Sequence, residues 1–259
     1  MLEVIQFNLL APIWVNDLYK QLPCYEEFSS PDRVEKVIDY LKSLPKADIY
    51  CLSEVLARDI ELIKKSFSGY SGVHVANDPN YWKEWLSKDY QKVLPNGVLL
   101  LGNDQTVRMK KYEVLEYGDG GKCLIVNFED LKTGKKIRAT SLHFDTTDKK
   151  YIESEKLIKK LNSLPKVDLE IVAGDFNYND VNIFNRLDFG ESVRNKQIST
   201  IPFYADGKGK IDHTLVKGAE SIYGKLYTVT SFNDVLSRMC QTVAENGSDH
   251  FATFTKIIF

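Results

Sequence analysis

The stretch Ile171-Val-Ala-Gly-Asp-Phe-Asn177 constrains this chain more than any other. Its short apolar run reads as a strand buried on both faces, and Gly174 ends it by letting the backbone turn without a Cβ clash. Asp175 and Asn177 then stand on the same side of the strand end. A carboxylate and an amide at the edge of a core cost desolvation free energy unless each finds a partner. A ligand is one such partner: an ionised carboxylate holds a cation or draws a proton from water, and an amide N–H donates to an anionic oxygen. The pair therefore suits metal-assisted attack on a phosphate. The same residues also read as a plain strand-to-loop turn capped by Asp and Asn.

Apolar runs are spread evenly over the 259 residues, with no repeat and no Pro/Gly/Ser linker, so one domain, 1–259, is expected. A formal net charge of −2 provides no general basic field. That argues against a protein that coats DNA non-specifically, but leaves room for an enzyme with a local basic groove or a bound metal. The four cysteines, Cys24, Cys51, Cys123 and Cys240, have no metal-type spacing. Cys51 and Cys123 lie in apolar runs and read as buried thiols, consistent with a reducing compartment. The N-terminus carries Glu3 and no basic region, and no apolar run approaches a membrane-spanning length. An intracellular protein with no signal peptide and no membrane association is expected.

Several further strands end in polar residues. Residues 2–8 alternate and stop at Asn8; residues 12–30 read as aromatic, irregular loop. Ser30-Pro31-Asp32 opens a helix with a stripe of Val34, Val37, Ile38, Leu41 and Leu44, stopped by Pro45. Asp48 to Ser53 is a buried strand followed at once by Glu54, which reads as an edge residue or a metal ligand. A helix from about Ala57 to Phe67 and a strand over 69–75 come next. The 76–96 segment mixes Trp82 and Trp85 with tyrosines and lysines, which fits base stacking and phosphate binding, or an amphipathic helix packing its aromatics on the domain.

Strands are then expected at Gly97–Leu101, Lys122–Glu129 and Lys136–Leu142, the last ending in His143. Helix 149–163 is amphipathic through Ile152, Leu157, Ile158 and Leu161, and another short helix follows Asn179-Asp180. Beyond Arg186 the pattern weakens until a strand at Lys210–Val216, with Asp212 and His213 at its start. His213 reads as structural because Asp212 alternates to the opposite face, and His74 as structural or surface. The chain closes with Ser248-Asp249-His250 and a strand from Phe251 to Ile258.

Asn8, Glu54, His143, Asp175, Asn177, Asp212, Asp249 and His250 all fall at strand termini, which converge on one rim in a packed sheet architecture. The motifs Phe7-Asn8-Leu9-Leu10, Leu52-Ser53-Glu54-Val55, Ser141-Leu142-His143, Gly174-Asp175-Phe176-Asn177, Ile211-Asp212-His213 and Ser248-Asp249-His250 run through nearly the whole chain. In this order they resemble the endonuclease/exonuclease/phosphatase superfamily, the deoxyribonuclease-I-like proteins. The resemblance implies an α/β protein: a four-layer α/β sandwich, with two mixed β-sheets packed face to face, helices outside, and a site between the sheets.

It also implies Mg²⁺-dependent cleavage of a phosphoester, with Mn²⁺ as an alternative ion. In that family's terms Glu54 resembles the principal metal ligand, with Asn8 and Asp249 close to the metal or its waters. Asp175 resembles the residue that activates water, Asn177 a donor to the phosphate, His143 and His250 the histidines at the scissile phosphate, and Asp212 the orienter of a histidine. Leu10 stands where some repair endonucleases carry an acid, and Phe-Asn-Leu-Leu-Ala-Pro and Asn96-Gly97-Val98 look more like nocturnin and other deadenylase-type members. Ser53, by contrast, replaces the glutamine of that branch.

A phosphodiesterase or nuclease acting on nucleic acid or nucleotides is therefore the expectation, RNA slightly favoured, with Trp82 and Trp85 as substrate-binding candidates and no obligate protein partner. The alternatives are a phosphatase acting on a small molecule such as an inositol phosphate, and an inactive scaffold of the same fold.

Overall fold

In the computed structural model, which describes residues 1–11, 14–15, 19–79, 81, 96–118, 120–194, 199–202, 209–228 and 234–259, twelve strands form two six-stranded sheets. The first holds β1 (Leu2–Asn8), β2 (Ile49–Leu56), β3 (Tyr70–Ala76), β4 (Asn96–Asn103), β11 (Ser221–Tyr227) and β12 (Ala252–Ile258), in the order β11-β12-β1-β2-β4-β3. The second holds β5 (Val107–Glu116), β6 (Lys122–Asp130), β7 (Lys136–His143), β8 (Leu169–Asp175), β9 (Gly190–Glu191) and β10 (Asp212–Lys217), in the order β5-β6-β7-β8-β10-β9. The described helices are α1 (Tyr25–Ser29), α2 (Arg33–Ser43), α3 (Ile60–Ser66), α4 (Lys149–Ser163) and α5 (Val235–Asn246), with 3₁₀ turns at Ala57–Asp59 and Asn182–Leu187.

Each sheet is mixed for the same reason. β1 pairs parallel with β2, and β7 parallel with β8, while the other pairs are antiparallel. Parallel neighbours need a crossover, and α2 and α4 supply one each. Val4, Ile49, Cys51, Leu100, Val126, Ile137, Ala139 and Ile171 fill the space between the sheets. Ile5, Phe7, Tyr50 and Leu52 point the other way, under Val37, Ile38 and Leu41 of α2 and Ile63 of α3. Val172, Phe144 and Phe176 lie under Leu157, Ile158 and Leu161 of α4. This is the expected sandwich: helix, sheet, sheet, helix.

Some expectations are corrected. β5 was not anticipated because it is a charged edge strand, with Arg108, Lys110, Lys111 and Glu113 along it and a bulge between Met109 and Lys111 that breaks the alternation. β11 and α5 were missed where the hydrophobic pattern thins. β11 is a half-exposed edge, and α5 buries Thr242 and Asn246 beside Met239 and Val243. The caps of α5 were legible: Asp234 accepts from the Ser237 N–H at 2.8 Å, and Gly247 closes the helix with φ 74°. Tyr25–Ser29 is helix inside the expected loop.

Ile152, expected in the buried stripe of α4, is 59% exposed, because that turn buries Glu153 and Ser154 instead. Gly174 does not end its strand. β8 runs on to Asp175, and a Cβ at Gly174 would lie 2.0 Å from the Leu142 carbonyl oxygen, so close approach of β7 is what requires glycine here.

Cys51 and Cys123 are free, buried thiols as expected, but Cys24 and Cys240 form a disulfide that joins α1's N-terminal end to α5. Disulfides persist in oxidising surroundings, so cysteine usage does not support a reducing compartment. Among the described residues no helix is long and apolar enough to cross a membrane.

Candidate active site

The C-terminal ends of β1, β2, β7 and β8 and the N-terminal ends of β10 and β12 share one rim, since parallel pairs put their ends together and antiparallel partners start where those end. Alternation then decides which side chains face the gap between the sheets. Val4, Gln6 and Asn8 follow one another on the inner face of β1, as do Ala139, Ser141 and His143 on β7 and Ile171, Ala173 and Asp175 on β8. Asp212 lies directly opposite Asp175 in register.

Glu54 reaches the site by a different route. Tyr50 and Leu52 face the helices, and unbroken alternation would send Glu54 after them. The register shifts between Leu52 and Val55, where two residues oppose one on β4, and Glu54 takes the left-handed conformation at φ 57°. The bulge turns its carboxylate inward, at a strain of order 1–3 kcal/mol for a non-glycine residue there.

Asn8 bridges two acids. Its Nδ2 donates to Glu54 Oε1 at 2.9 Å and to Asp175 Oδ2 at 3.0 Å, while its Oδ1 accepts the Leu10 N–H at 2.9 Å. The other Glu54 oxygen accepts the Ala11 N–H at 2.6 Å. Nε2 of His143 lies 3.6 Å from Glu54 and 3.8 Å from Asp175. Nε2 of His250 lies 3.8 Å from Asp175 Oδ2 and 3.7 Å from Asp249 Oδ1, and its Nδ1 meets Asp212 Oδ2 at 2.7 Å. Tyr19 donates its hydroxyl proton to Asp249 Oδ2.

Asn177 itself takes the left-handed conformation at φ 53°, with its N–H on Asp175 Oδ1 at 2.8 Å. One proton of its side-chain amide goes to the Phe144 carbonyl at 2.7 Å, and unlike the rest of the set the residue is only half-buried.

Four acids, Glu54, Asp175, Asp212 and Asp249, and two imidazoles, His143 and His250, are all buried. Burial disfavours the charged form of each, and neighbouring charges then sort them. Burial and the nearby Asp249 charge push the Glu54 carboxyl up to about 7, against the pull of the Ala11 and Asn8 donors. Burial and Asp212 raise Asp175 above the usual carboxylate range, although His250 and His143 oppose them. Burial lowers His143. Burial would lower His250 too, but Asp212, Asp249 and Asp175 surround it and hold it well above the ordinary imidazole value, as a cation.

This negative excess is the condition a cation relieves. Ligand atoms of Glu54, His143 and Asp175 lie within 4.8 Å of one another, and so do those of Asp175, Asp212 and His250. Asp249 Oδ1 is buried without a hydrogen-bond partner. Carboxylate oxygens outnumber imidazole nitrogens in this set, which fits a hard, oxygen-seeking divalent ion.

Seven of the residues singled out from sequence therefore meet here, with Asn177 at the edge; Trp82 and Trp85 lie outside the described residues. His213 faces away, bonded to Glu191 at 2.6 Å and to the Tyr178 carbonyl at 3.0 Å, and His74 is held by the Val55 carbonyl at 3.1 Å, so both are structural. Two contributors were missed. Gln6 donates to Asp212 Oδ1 at 2.6 Å; standing two residues before Asn8 on a strand, it was identifiable as a polar residue on the same face. Tyr19 gave no such signal, because its loop has no period.

No protein-family model and no curated sequence matches the chain. Solved structures do. An endonuclease/exonuclease/phosphatase from Bacteroides vulgatus superposes with a TM-score of 0.69 at 15% identity, covering 99% of this chain and 98% of its own. D. rerio TDP2 complexed with single strand DNA product gives 0.66 at 14%, over 100% and 99%. The human Nocturnin catalytic domain with bound sulfate anion gives 0.65 at 17%, over 99% and 93%.

Proposed function

We propose that this chain, which has the endonuclease/exonuclease/phosphatase fold, is a metal-dependent phosphoric ester hydrolase that cleaves phosphodiesters in nucleic acid or nucleotides. The observation that carries this reading is the single buried cluster in which Asn8, Glu54, His143, Asp175, Asp212, Asp249 and His250 converge from six strand ends. A folded chain tolerates so many buried acids only when something compensates them.

Glu54, with Asn8 and Asp249 close to the ion or its waters, would hold Mg²⁺, with Mn²⁺ as the alternative ion. When bound, the ion supplies positive charge against the negative charge that develops on the phosphoryl oxygens and the leaving oxygen. Asp175, its carboxylate fixed by the Asn8 amide and the Asn177 N–H, accepts a proton from the attacking water. His250, charged and aligned by Asp212, donates through Nε2 to a non-bridging phosphate oxygen. His143, held neutral by burial, lies across from it against Asp175. The second proton of the Asn177 amide is the remaining donor at the edge of the site. The water oxygen bonds to phosphorus as the ester P–O bond breaks; Asp175 keeps the water's proton until it is released to solvent, and the leaving oxygen takes up a proton from solvent.

The nucleic-acid half of the proposal is supported by the likeness to a fold solved with a single strand DNA product and by the deadenylase-like motif that begins at Phe7-Asn8, the end of β1. Purified protein is to be given RNA and DNA oligonucleotides, nucleotides and small phosphates, with Mg²⁺ or a chelator. Release of nucleotides that needs the metal and disappears in both Glu54→Ala and Asp175→Ala is expected. Preferential turnover of a sugar or inositol phosphate would replace the nuclease assignment with the phosphatase one, and equal turnover by both variants and wild type would end both.

A further inference from the structure

The start of α4 is inverted with respect to polarity. Glu153 and Ser154 are buried, whereas Tyr151 and Ile152 are 52% and 59% exposed. The inward residues are accounted for: Glu153 accepts the Asp145 N–H and the Tyr81 hydroxyl at 2.7 Å each, and Ser154 meets the Tyr178 hydroxyl at 2.7 Å. Among the described residues, an aromatic and a branched apolar side chain at consecutive positions are left more than half exposed.

The location of Tyr151 gives it a use. Strand-end residues alternate: His143, Asp175 and Asn177 carry the polar site, and Phe144, Phe176 and Tyr178, each the next residue, form an aromatic cluster on the other side, Phe176 edge-on to the other two. Tyr178 stacks on Phe144 with centroids 6.4 Å apart, and the Tyr151 ring lies 5.6 Å from Tyr178. Tyr151 is therefore the solvent end of an aromatic cluster that begins at Phe176, the residue after Asp175. Lys150 stands next to it, its Nζ on the Asn177 carbonyl at 3.0 Å and the Thr146 carbonyl at 3.1 Å, and 5.8 Å from the Tyr151 ring centroid. An ammonium has three protons, and these two bonds leave one to aim at an anion.

Resting on the hydrolase reading above, we infer that Tyr151 forms a stacking platform for a nucleobase flanking the scissile phosphate, and that Lys150 holds a neighbouring phosphate. An exposed aromatic face backed by packed rings binds any base, since every base has a π-face, while a fixed cation beside it tracks the backbone. The platform selects unpaired strands, because a base inside a duplex has no free face to offer. A phosphorylated sugar or inositol has no flat π-face to lay on the ring and gains less from it, so the platform also favours one of the two substrate classes that the chemical centre leaves equal.

The test compares wild type, Tyr151→Ala and Tyr151→Phe with Mg²⁺ on a short single-stranded oligonucleotide, and on the same oligonucleotide made abasic on both sides of the cleaved bond. Tyr151→Ala is expected to raise KM for the normal strand about fivefold or more, ~1 kcal/mol at 1.4 kcal/mol per tenfold, with a smaller change in kcat. Tyr151→Phe should restore most of the loss, and the difference between wild type and Tyr151→Ala should vanish on the abasic strand. Thermal melting checks that both variants fold, which their exposure favours. Turnover by wild type with the same KM in Tyr151→Ala overturns this inference and leaves the hydrolase standing. No wild-type turnover of any oligonucleotide removes the nucleic-acid reading and the platform with it.

Discussion

Gln6 and Asp212, on different sheets and 206 residues apart, are joined by a 2.6 Å hydrogen bond from Nε2 to Oδ1. The other Asp212 oxygen holds His250, and Thr253 donates to the Gln6 carbonyl oxygen at 3.1 Å. The amide thus locks the carboxylate that locks the imidazole. Gln6→Leu removes a donor from a buried anion, which costs about 1–3 kcal/mol. Loss of stability of that size in denaturant titration, with kcat reduced and KM for substrate little changed, is expected. A variant as active as wild type would show that His250 does not depend on this support.

Replacing the acids should separate chemistry from folding. Glu54→Gln and Asp175→Asn keep the shapes of the side chains and remove one negative charge each from a cluster with an excess of them. Both should fold and lose turnover by about 10²–10⁴-fold, the range for removing a positioned proton acceptor or its equivalent. Calorimetric titration with Mg²⁺ should show weaker binding in Glu54→Gln than in wild type. Wild-type affinity in that variant would remove Glu54 from the metal assignment.

Protonation predicts a bell-shaped profile of kcat/KM. Activity should rise with pH as Asp175, held above the usual carboxylate range by burial and Asp212, gives up its proton. It should fall at high pH as His250, held well above the ordinary imidazole value by Asp212, Asp249 and Asp175, loses its own. In Asp212→Asn burial acts on His250 with its largest opposing charge removed, so the alkaline limb should move to lower pH. A limb that stays where it was in wild type would assign it to another group.

Stability of the metal-free protein should move against the usual carboxylate trend. Glu54 is raised from its ordinary 4.5 to about 7, so the folded state binds the proton more tightly than the unfolded one. The resulting stabilisation is complete below pH ~4.5 and is lost as pH rises through about 7. His250, also raised, acts in the same direction, and His143, lowered by burial, acts against it. Melting in a chelator should thus show Tm falling between pH 5 and pH 8, less steeply in Glu54→Gln, and Mg²⁺ should restore more at pH 8. A Tm that rises over this interval in wild type would contradict the buried-charge account.

The Cys24–Cys240 bond closes a separation of 216 residues and ties α1 to α5 in the small core that also holds Tyr19, Phe28 and Met239. Unfolded without reductant, the protein should present two thiols, Cys51 and Cys123, and four after reduction. Cys24→Ser with Cys240→Ser should cost about 2–5 kcal/mol, read by denaturant titration. Because Tyr19 binds Asp249, the same change should also weaken Mg²⁺ binding. Four thiols in the unreduced protein would refute the pairing.

The sequence by itself determined which polar residues the strands carry at or near their ends. Alternation placed Asn8, His143 and Asp175 on one face each, and the 3.6-residue stripes of α2 and the later turns of α4 placed the covering layers, because periodicity records which face a core must bury. His213 was assigned correctly to the far side of Asp212 by the same rule. What tertiary structure alone decided is where periodicity is interrupted or absent. The bulge at Ser53-Glu54 turns the Glu54 carboxylate inward against its own alternation, and the inverted start of α4 sends Ile152 out and Glu153 in. Partners from distant strands or aperiodic loops, Gln6 to Asp212 across the two sheets, Tyr19 to Asp249 and Cys24 to Cys240, meet only in the folded chain. A one-dimensional pattern encodes the direction each side chain takes from its own backbone; it carries no record of what a different strand brings to meet it.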